Sequence, residues 1–273
     1  MFKVLFIGDI VGKIGRRAVQ QVLPKLKKEH KPDLVIANAE NIAHGSGVSE
    51  SGLREMMEAG VDWFTCGDHS FQKEKRLDVY DNLPILRPAN YSAGVPGKGY
   101  SVISVNAAKA GGDGASVLLV NLIGRVFMKM DYECPFRKLD AILADENLAD
   151  KKFSAIIIDM HAEATSEKTA MGHYADGRVS AVFGTHTHIM TADHKISKQG
   201  TAYITDAGMV GFADGCIGIE KENILDTFLT QVKHSHVIPK KGGAIFNSVL
   251  VSIDGKTGKA KKIKPITKFV EIK

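Results

Sequence analysis

Short apolar runs alternate with amphipathic stretches through the first half of the chain. Residues 4–7 form a continuous apolar run, the pattern of a strand covered on both faces. Residues 16–29 carry Val19, Val22, Leu23 and Leu26 at helical spacing with a basic outer face, and Pro24 is expected to bend or interrupt that helix. Residues 34–37 and 63–66 read as further buried strands. Between them a helix capped by Ser49 or Ser51 should run to Ala59 and stop at Gly60. A helix is expected over 74–82. Residues 88–114, rich in Gly, Pro and Asn, suggest irregular loops and antiparallel pairing.

Beyond this, strands are expected at 116–121, 155–159, 181–184 and 202–205, and helices at 136–147, 166–174 and 220–232. Residues 243–253 and 258–271 alternate and should close a hairpin around Asp254-Gly255. Strands and helices alternate early and strands dominate late. The expected fold is α/β, with mixed central sheets flanked by helices. No internal repeat or linker breaks the 273 residues, so one domain over 1–273 is expected.

Composition narrows the class. Apolar residues make up 44% and charged residues 25%, as in ordinary globular proteins. Cys66, Cys134 and Cys216 are far apart with no CxxC pair, which argues against thiolate zinc sites and a disulfide framework and fits a reducing cytoplasm. No apolar run is long enough to span a membrane, and the first residues read as a buried strand, not a signal peptide. The net charge of +5 is mild. Much of it lies in the tail, where seven lysines face one glutamate from Lys256 onward. That composition fits an edge strand blunted by lysines better than a polyanion platform, which would interleave aromatic residues.

The polar residues carry the chemistry. Five apolar strand candidates end in metal-capable side chains: 4–7 in Asp9, 34–37 in Asn38, Glu40 and Asn41, and 63–66 in Asp68 and His69. The other two are 155–158, ending in Asp159 and His161, and 181–184, ending in His186 and His188. Singly, Asp9 can be a helix cap, Glu40-Asn41 a turn and His161 a packed core residue. Jointly they bring carboxylates, an amide and imidazoles to one rim beyond the carboxyl ends of the strands, where open α/β sheets bind ligands. Oxygen and nitrogen donors without thiolate suit zinc, manganese or iron. So many donors exceed one tetrahedral ion and suit two ions about 3.5–4 Å apart, an arrangement that serves in-line displacement at phosphorus. Gly8 to Lys13 is one residue short of a phosphate loop.

Gly8-Asp9, Asn38-Ala39-Glu40-Asn41, Gly67-Asp68-His69, the string from Asp159 through His161-Ala162-Glu163-Ala164-Thr165-Ser166-Glu167-Lys168, and Gly184-Thr185-His186-Thr187-His188 resemble the YmdB-like calcineurin-type metallophosphoesterases. These are bacterial 2′,3′-cyclic-nucleotide 2′-phosphodiesterases. The resemblance extends over essentially the whole chain, through Arg87-Pro88-Ala89-Asn90, Pro96-Gly97, Gly124-Arg125 and Thr205 to Met209. It implies a four-layer α/β/β/α sandwich of the metallophosphoesterase type with a dinuclear iron or manganese centre. By motif, Asp9, Glu40, Asn41 and His188 would hold the first ion and Glu40 would bridge. Asp68, His161 and His186 would complete the second, and His69 would be the general acid. The implied reaction is hydrolysis of 2′,3′-cyclic nucleotides, and of other small phosphodiesters, by a metal-bridging hydroxide.

The resemblance departs at one position: the family carries Gly-Asn-His where this chain has Gly67-Asp68-His69. The added negative charge is expected to hold the second ion more tightly and weaken it as a Lewis acid. Asp68→Asn tests this, and unchanged rate and metal content would refute it. Two other readings stay open. One is a phosphomonoesterase or nuclease on the same ions. The other is a regulatory, RNA-associated binding protein with weak turnover, whose binding would fall steeply with salt. His44, after Glu40-Asn41, is a further candidate for substrate contact, His173 is expected to pack at a helix end, and Asp206 is a candidate support for a metal ligand. Base rates for soluble enzymes favour a homo-oligomer.

Overall fold

The computed structural model of the chain describes residues 1–72, 77–105 and 114–273. Its first strands and helices are β1 (Phe2–Ile7), β2 (Asp9–Ile10), α1 (Gly12–His30), β3 (Leu34–Asn38), α2 (Glu50–Ala59), β4 (Trp63–Thr65) and α3 (Val79–Asn82). There follow β5 (Tyr100–Val105), β6 (Ala115–Ile123), α4 (Pro135–Leu143), α5 (Glu146–Ala149), β7 (Ala155–His161), α6 (Thr165–Tyr174) and β8 (Ala181–Thr185). The last elements are β9 (Lys195–Ile196), β10 (Ala202–Ile204), β11 (Met209–Phe212), α7 (Lys221–Thr230), β12 (Gly242–Ile253) and β13 (Ala260–Ile272).

Two mixed sheets stack face to face. One runs β2-β11-β12-β1-β3-β4, with β13 on the other edge of β12, and the second runs β5-β6-β7-β8-β10-β9. In the first sheet β1, β3 and β4 are parallel. In the second β6, β7, β8 and β10 are parallel. Val4, Phe6, Ile36, Leu119, Ile157 and Phe183 fill the space between the sheets, and the Phe6 and Phe183 rings stack across it at 4.6 Å. Leu5, Ile7, Val35 and Ala37 point the other way, onto the Ile14, Ala18, Val22 and Leu26 face of α1 and onto Leu53 and Met56 of α2. Leu118, Val120, Ile158 and Val182 meet Leu139 and Ile142 of α4 and Met171 of α6 on the outer face of the second sheet. The result is the expected four layers, and it explains why the central strands read as unbroken apolar runs: both faces of each are covered.

Several expectations shift. Pro24 lies inside α1, which runs unbroken for 19 residues. Pro24 and Gln20, whose carbonyl loses its partner, are both exposed, so water can satisfy that carbonyl. The helix expected over 136–147 is two, because the Asp145 carboxylate caps the second by accepting from the Asn147 amide. Residues 74–76 of the expected 74–82 helix, and 106–113 of the 88–114 stretch, lie outside the described residues; within the remainder, β5 pairs antiparallel with β6 as expected. The β12–β13 connection is the six residues 254–259, longer than the tight turn expected. The lysine-rich tail is β13, which pairs with β12 and exposes Lys261, Lys262, Lys264 and Lys268. Among the described residues, no helix is long and apolar enough to cross a membrane.

Candidate metal centre

The parallel strands of both sheets end at one rim. β1 leads through Gly8 to Asp9, β3 through Asn38 to Glu40 and Asn41, and β4 to Asp68 and His69. From the facing sheet β7 ends on His161, and β8 leads to His186 and His188. Beneath the rim the sheets are tied by Asp159, fully buried, which accepts from Asn38 Nδ2 at 3.0 Å, Thr65 Oγ1 at 2.5 Å and Thr185 Oγ1 at 2.7 Å.

Donor atoms of Glu40, Asp68, His161 and His186 all lie within 4.8 Å of one another, a cluster that can hold a divalent metal ion. His161 Nε2 is 3.1 Å from Glu40 Oε2 and 3.4 Å from Asp68 Oδ1. His186 Nδ1 is 3.0 Å from His161 Nε2 and 3.5 Å from Asp68 Oδ1. Asp9 and His188 fall outside this quartet but adjoin it. Asp9 Oδ2 accepts from the His186 amide at 3.3 Å. Asn41 Nδ2 lies 2.9 Å from Glu40 Oε1 and 3.2 Å from His188 Nε2. His69 Nδ1 is 2.8 Å from Asn41 Oδ1, and its Nε2 is 3.6 Å from Asp68 Oδ2.

The donors fit a cation by three independent signs. Asp9 Oδ1 is buried with no hydrogen-bond partner, a costly state for a carboxylate oxygen unless a cation accompanies it. A Cβ at Gly67 would fall 2.2 Å from both Glu40 Oε2 and His161 Nε2, so only glycine leaves that space open. The imidazoles also present lone pairs inward. His188 Nδ1 donates to the Ile217 carbonyl at 2.9 Å, leaving Nε2 unprotonated toward Asn41. His161 Nδ1 lies 2.9 Å from Thr185 Oγ1, and because that hydroxyl donates onward to Asp159, the ring nitrogen must be the donor. His186 Nε2 faces Glu163 Oε2 at 3.1 Å. Partners of this kind fix tautomer and ring orientation in metal sites.

Charge follows the same logic. Burial raises the Asp9 carboxyl well above its usual range, with Glu40, Asp206 and Asp159 adding to it and His161 opposing. Burial also acts to raise Glu40, but His161 and His69 outweigh it and hold that carboxyl well below the usual range. Burial disfavours a charged His161, yet Glu40, Asp68 and Asp9 push it well upward. His69 is raised as well, Glu40 and Asp68 overcoming its burial. His186 is pushed down to about 4 by burial and by His161, and burial lowers His188. A cluster of carboxylates thus draws one proton onto His161, and metal binding displaces such protons.

Asp206 supports the histidine segment, through partners that escaped the sequence reading. Lys168 and Asp206 form a buried pair, Nζ to Oδ2 at 2.7 Å. The same Oδ2 accepts from the Thr187 amide at 3.1 Å and its hydroxyl at 2.7 Å, which pins the residue between His186 and His188. Both histidines have positive φ, 99° and 66°, so this pinning offsets backbone strain at the site. Ile217, also in the left-handed region at φ 48°, delivers the carbonyl that orients His188; an isoleucine there carries no sequence signal. His44 is exposed and lines a separate cleft of about 300 Å³ with Lys13, Arg16 and His236. His173 is exposed in the last turn of α6 rather than packed. Tyr174 and Arg178 pair with Asp140.

A family model described as YmdB-like protein matches residues 5–266. The chain is 43% identical over 265 residues, 97% of this chain and 96% of the other, to a protein of Bacillus subtilis (strain 168) named 2′,3′-cyclic-nucleotide 2′-phosphodiesterase. Among solved structures, a hypothetical protein from Thermus thermophilus superposes with TM-score 0.88 at 38% identity, covering 98% of this chain and 99% of that one. A structure titled as a novel phosphatase from Mycoplasma pneumoniae superposes with TM-score 0.89 at 34% identity, covering 99% and 94%.

Proposed function

Because the chain belongs to the YmdB-like protein family, we propose that it is a metal-dependent phosphodiesterase that opens 2′,3′-cyclic nucleotides at the 2′-oxygen and leaves the 3′-phosphate. The observation that carries the reading is the convergence of Glu40, Asp68, His161 and His186 at one rim, beside Asp9, whose Oδ1 is buried without a partner. The centre takes two ions, iron or manganese. Asp9, Glu40, Asn41 and His188 would hold the first, and Glu40, Asp68, His161 and His186 the second, with Glu40 common to both sets. When bound, such ions lower the pKa of water at the site and neutralise charge growing on the phosphoryl oxygens.

The protein's own groups do the rest. Thr185, Glu163 and the Ile217 carbonyl keep His161, His186 and His188 in the ligating tautomers. His69 is partly exposed, and Glu40 and Asp68 push it upward against its burial, which favours its protonated form. It can therefore reach a substrate and give its proton to the departing 2′-oxygen as the P–O bond breaks. The free Cys66, Cys134 and Cys216 fit a cytoplasmic enzyme.

Manganese-loaded protein is expected to convert 2′,3′-cyclic AMP to the 3′-phosphate, seen by chromatography of the products, and His188→Ala should lose the activity. A 2′-phosphate product, or full activity in the variant, would overturn the reading.

A further inference from the structure

The loop between β6 and α4 adjoins the metal centre and contributes no ligand to it. Both of its ends are fixed by buried groups. Asn90, fully buried, accepts from the Ile123 amide on Oδ1 at 2.9 Å. Its Nδ2 donates to the Ile123 carbonyl at 2.7 Å and to the Glu133 carbonyl at 2.8 Å, so one side chain staples the two stems together. Glu167, also buried, accepts from the Arg125 amide at 2.9 Å and the Val126 amide at 3.2 Å. Surface loops closed at the base in this way are compact and frequently functional.

Between these anchors the chain turns apolar side chains to solvent. Val126, Phe127 and Met130 are 42%, 85% and 64% exposed. Phe127 has φ 63°, a left-handed posture that bulky residues rarely take and that clusters at ligand clamps. Arg125 and Lys129, both exposed, flank it two residues to either side. An aromatic face among cations is the composition that holds a nucleobase and the phosphate attached to it.

The loop is tied to the centre at both ends. The Gly124 amide donates to the His161 carbonyl at 2.8 Å, and Phe127 follows three residues on, at most about 11 Å of extended chain. At the far end the buried Tyr132 ring lies 4.9 Å from that of Tyr91, whose hydroxyl donates to the Gly67 carbonyl at 3.2 Å, next to Asp68. Tyr91 and Tyr132 are occupied with each other and, through Tyr91, with Phe71. Phe127 instead offers a free face.

We propose that Phe127 is the platform on which the substrate's nucleobase stacks, a proposal that rests on reading this centre as a phosphodiesterase of cyclic nucleotides. With the cyclic phosphate at the ions, the ribose sets the base to one side of them, where the loop lies. Arg125 and Lys129 draw the anionic substrate in. Every base has a π-face, so stacking of this kind favours nucleotides over phosphodiesters that lack a base, without choosing among the bases.

Isothermal titration calorimetry of manganese-loaded protein with 3′-AMP and with glycerol 2-phosphate tests the proposal. Both are monoesters of a secondary alcohol, and only one carries a base. The wild type is expected to bind 3′-AMP on the order of 10- to 100-fold more tightly than glycerol 2-phosphate. Phe127→Ala should reduce that preference by roughly tenfold or more, and Phe127→Trp should keep it. The ring is so exposed that neither change should alter the circular-dichroism spectrum. Equal affinity of the wild type for the two ligands overturns the proposal, and so does a folded alanine variant that keeps the wild-type preference. The readout needs no turnover, so its failure is distinct from a failure to hydrolyse 2′,3′-cyclic AMP, which would strike the phosphodiesterase reading itself.

Discussion

Glu40→Gln is expected to empty the centre. One Glu40 oxygen lies against His161 and the His69 amide, and the other against Asn41, so the carboxylate touches side chains of both halves of the site. Glutamine keeps the volume but removes the charge, and it points an NH2 at neighbours that already donate. Metal content after dialysis should fall below one ion per chain. Turnover of 2′,3′-cyclic AMP should fall by more than about 10³-fold, well beyond the 10–100-fold cost of losing an outer supporting partner. Elemental analysis and a single kinetic assay check both. Retention of two ions at wild-type rate would remove Glu40 from the shared position.

His69→Ala should separate chemistry from metal binding. His69 touches Asn41 and approaches Asp68, but its proposed task is to protonate the leaving oxygen. Loss of a positioned general acid costs on the order of 10²–10⁴ in rate. An alkoxide such as the ribose 2′-oxygen needs that proton, whereas p-nitrophenolate leaves without it. The variant should therefore lose on the order of 10²–10⁴ with 2′,3′-cyclic AMP and less than about tenfold with a p-nitrophenyl phosphodiester, with metal content unchanged. Equal losses on the two substrates would show that His69 acts through the metal site and not on the leaving group.

The rim was legible in the sequence for a physical reason. Strands buried on both faces, such as residues 4–7 and 34–37, read as unbroken apolar runs, and the polar residues that follow must lie beyond the carboxyl ends of a parallel sheet. Asp9, Glu40, Asn41, Asp68, His69, His161, His186 and His188 were named on that basis and by motif, and the fold brings them to one rim. Groups that act through backbone or through neutral side chains stayed hidden. The Ile217 carbonyl and the Thr185 hydroxyl are interchangeable in sequence with any carbonyl or any threonine. Pro24 shows the limit of a local rule: its ring and its missing amide are tolerated because the affected carbonyl faces water. Asp145 shows another, since nothing local distinguishes a mid-helix aspartate from one that caps a new helix.

The claim on which the rest depends is that two ions share Glu40. Electron paramagnetic resonance of the protein titrated with manganese addresses it directly. Two ions bridged by one carboxylate should give the multiline spectrum of an exchange-coupled pair, saturating at two equivalents per chain. A simple six-line spectrum saturating at one equivalent would contradict the dinuclear centre.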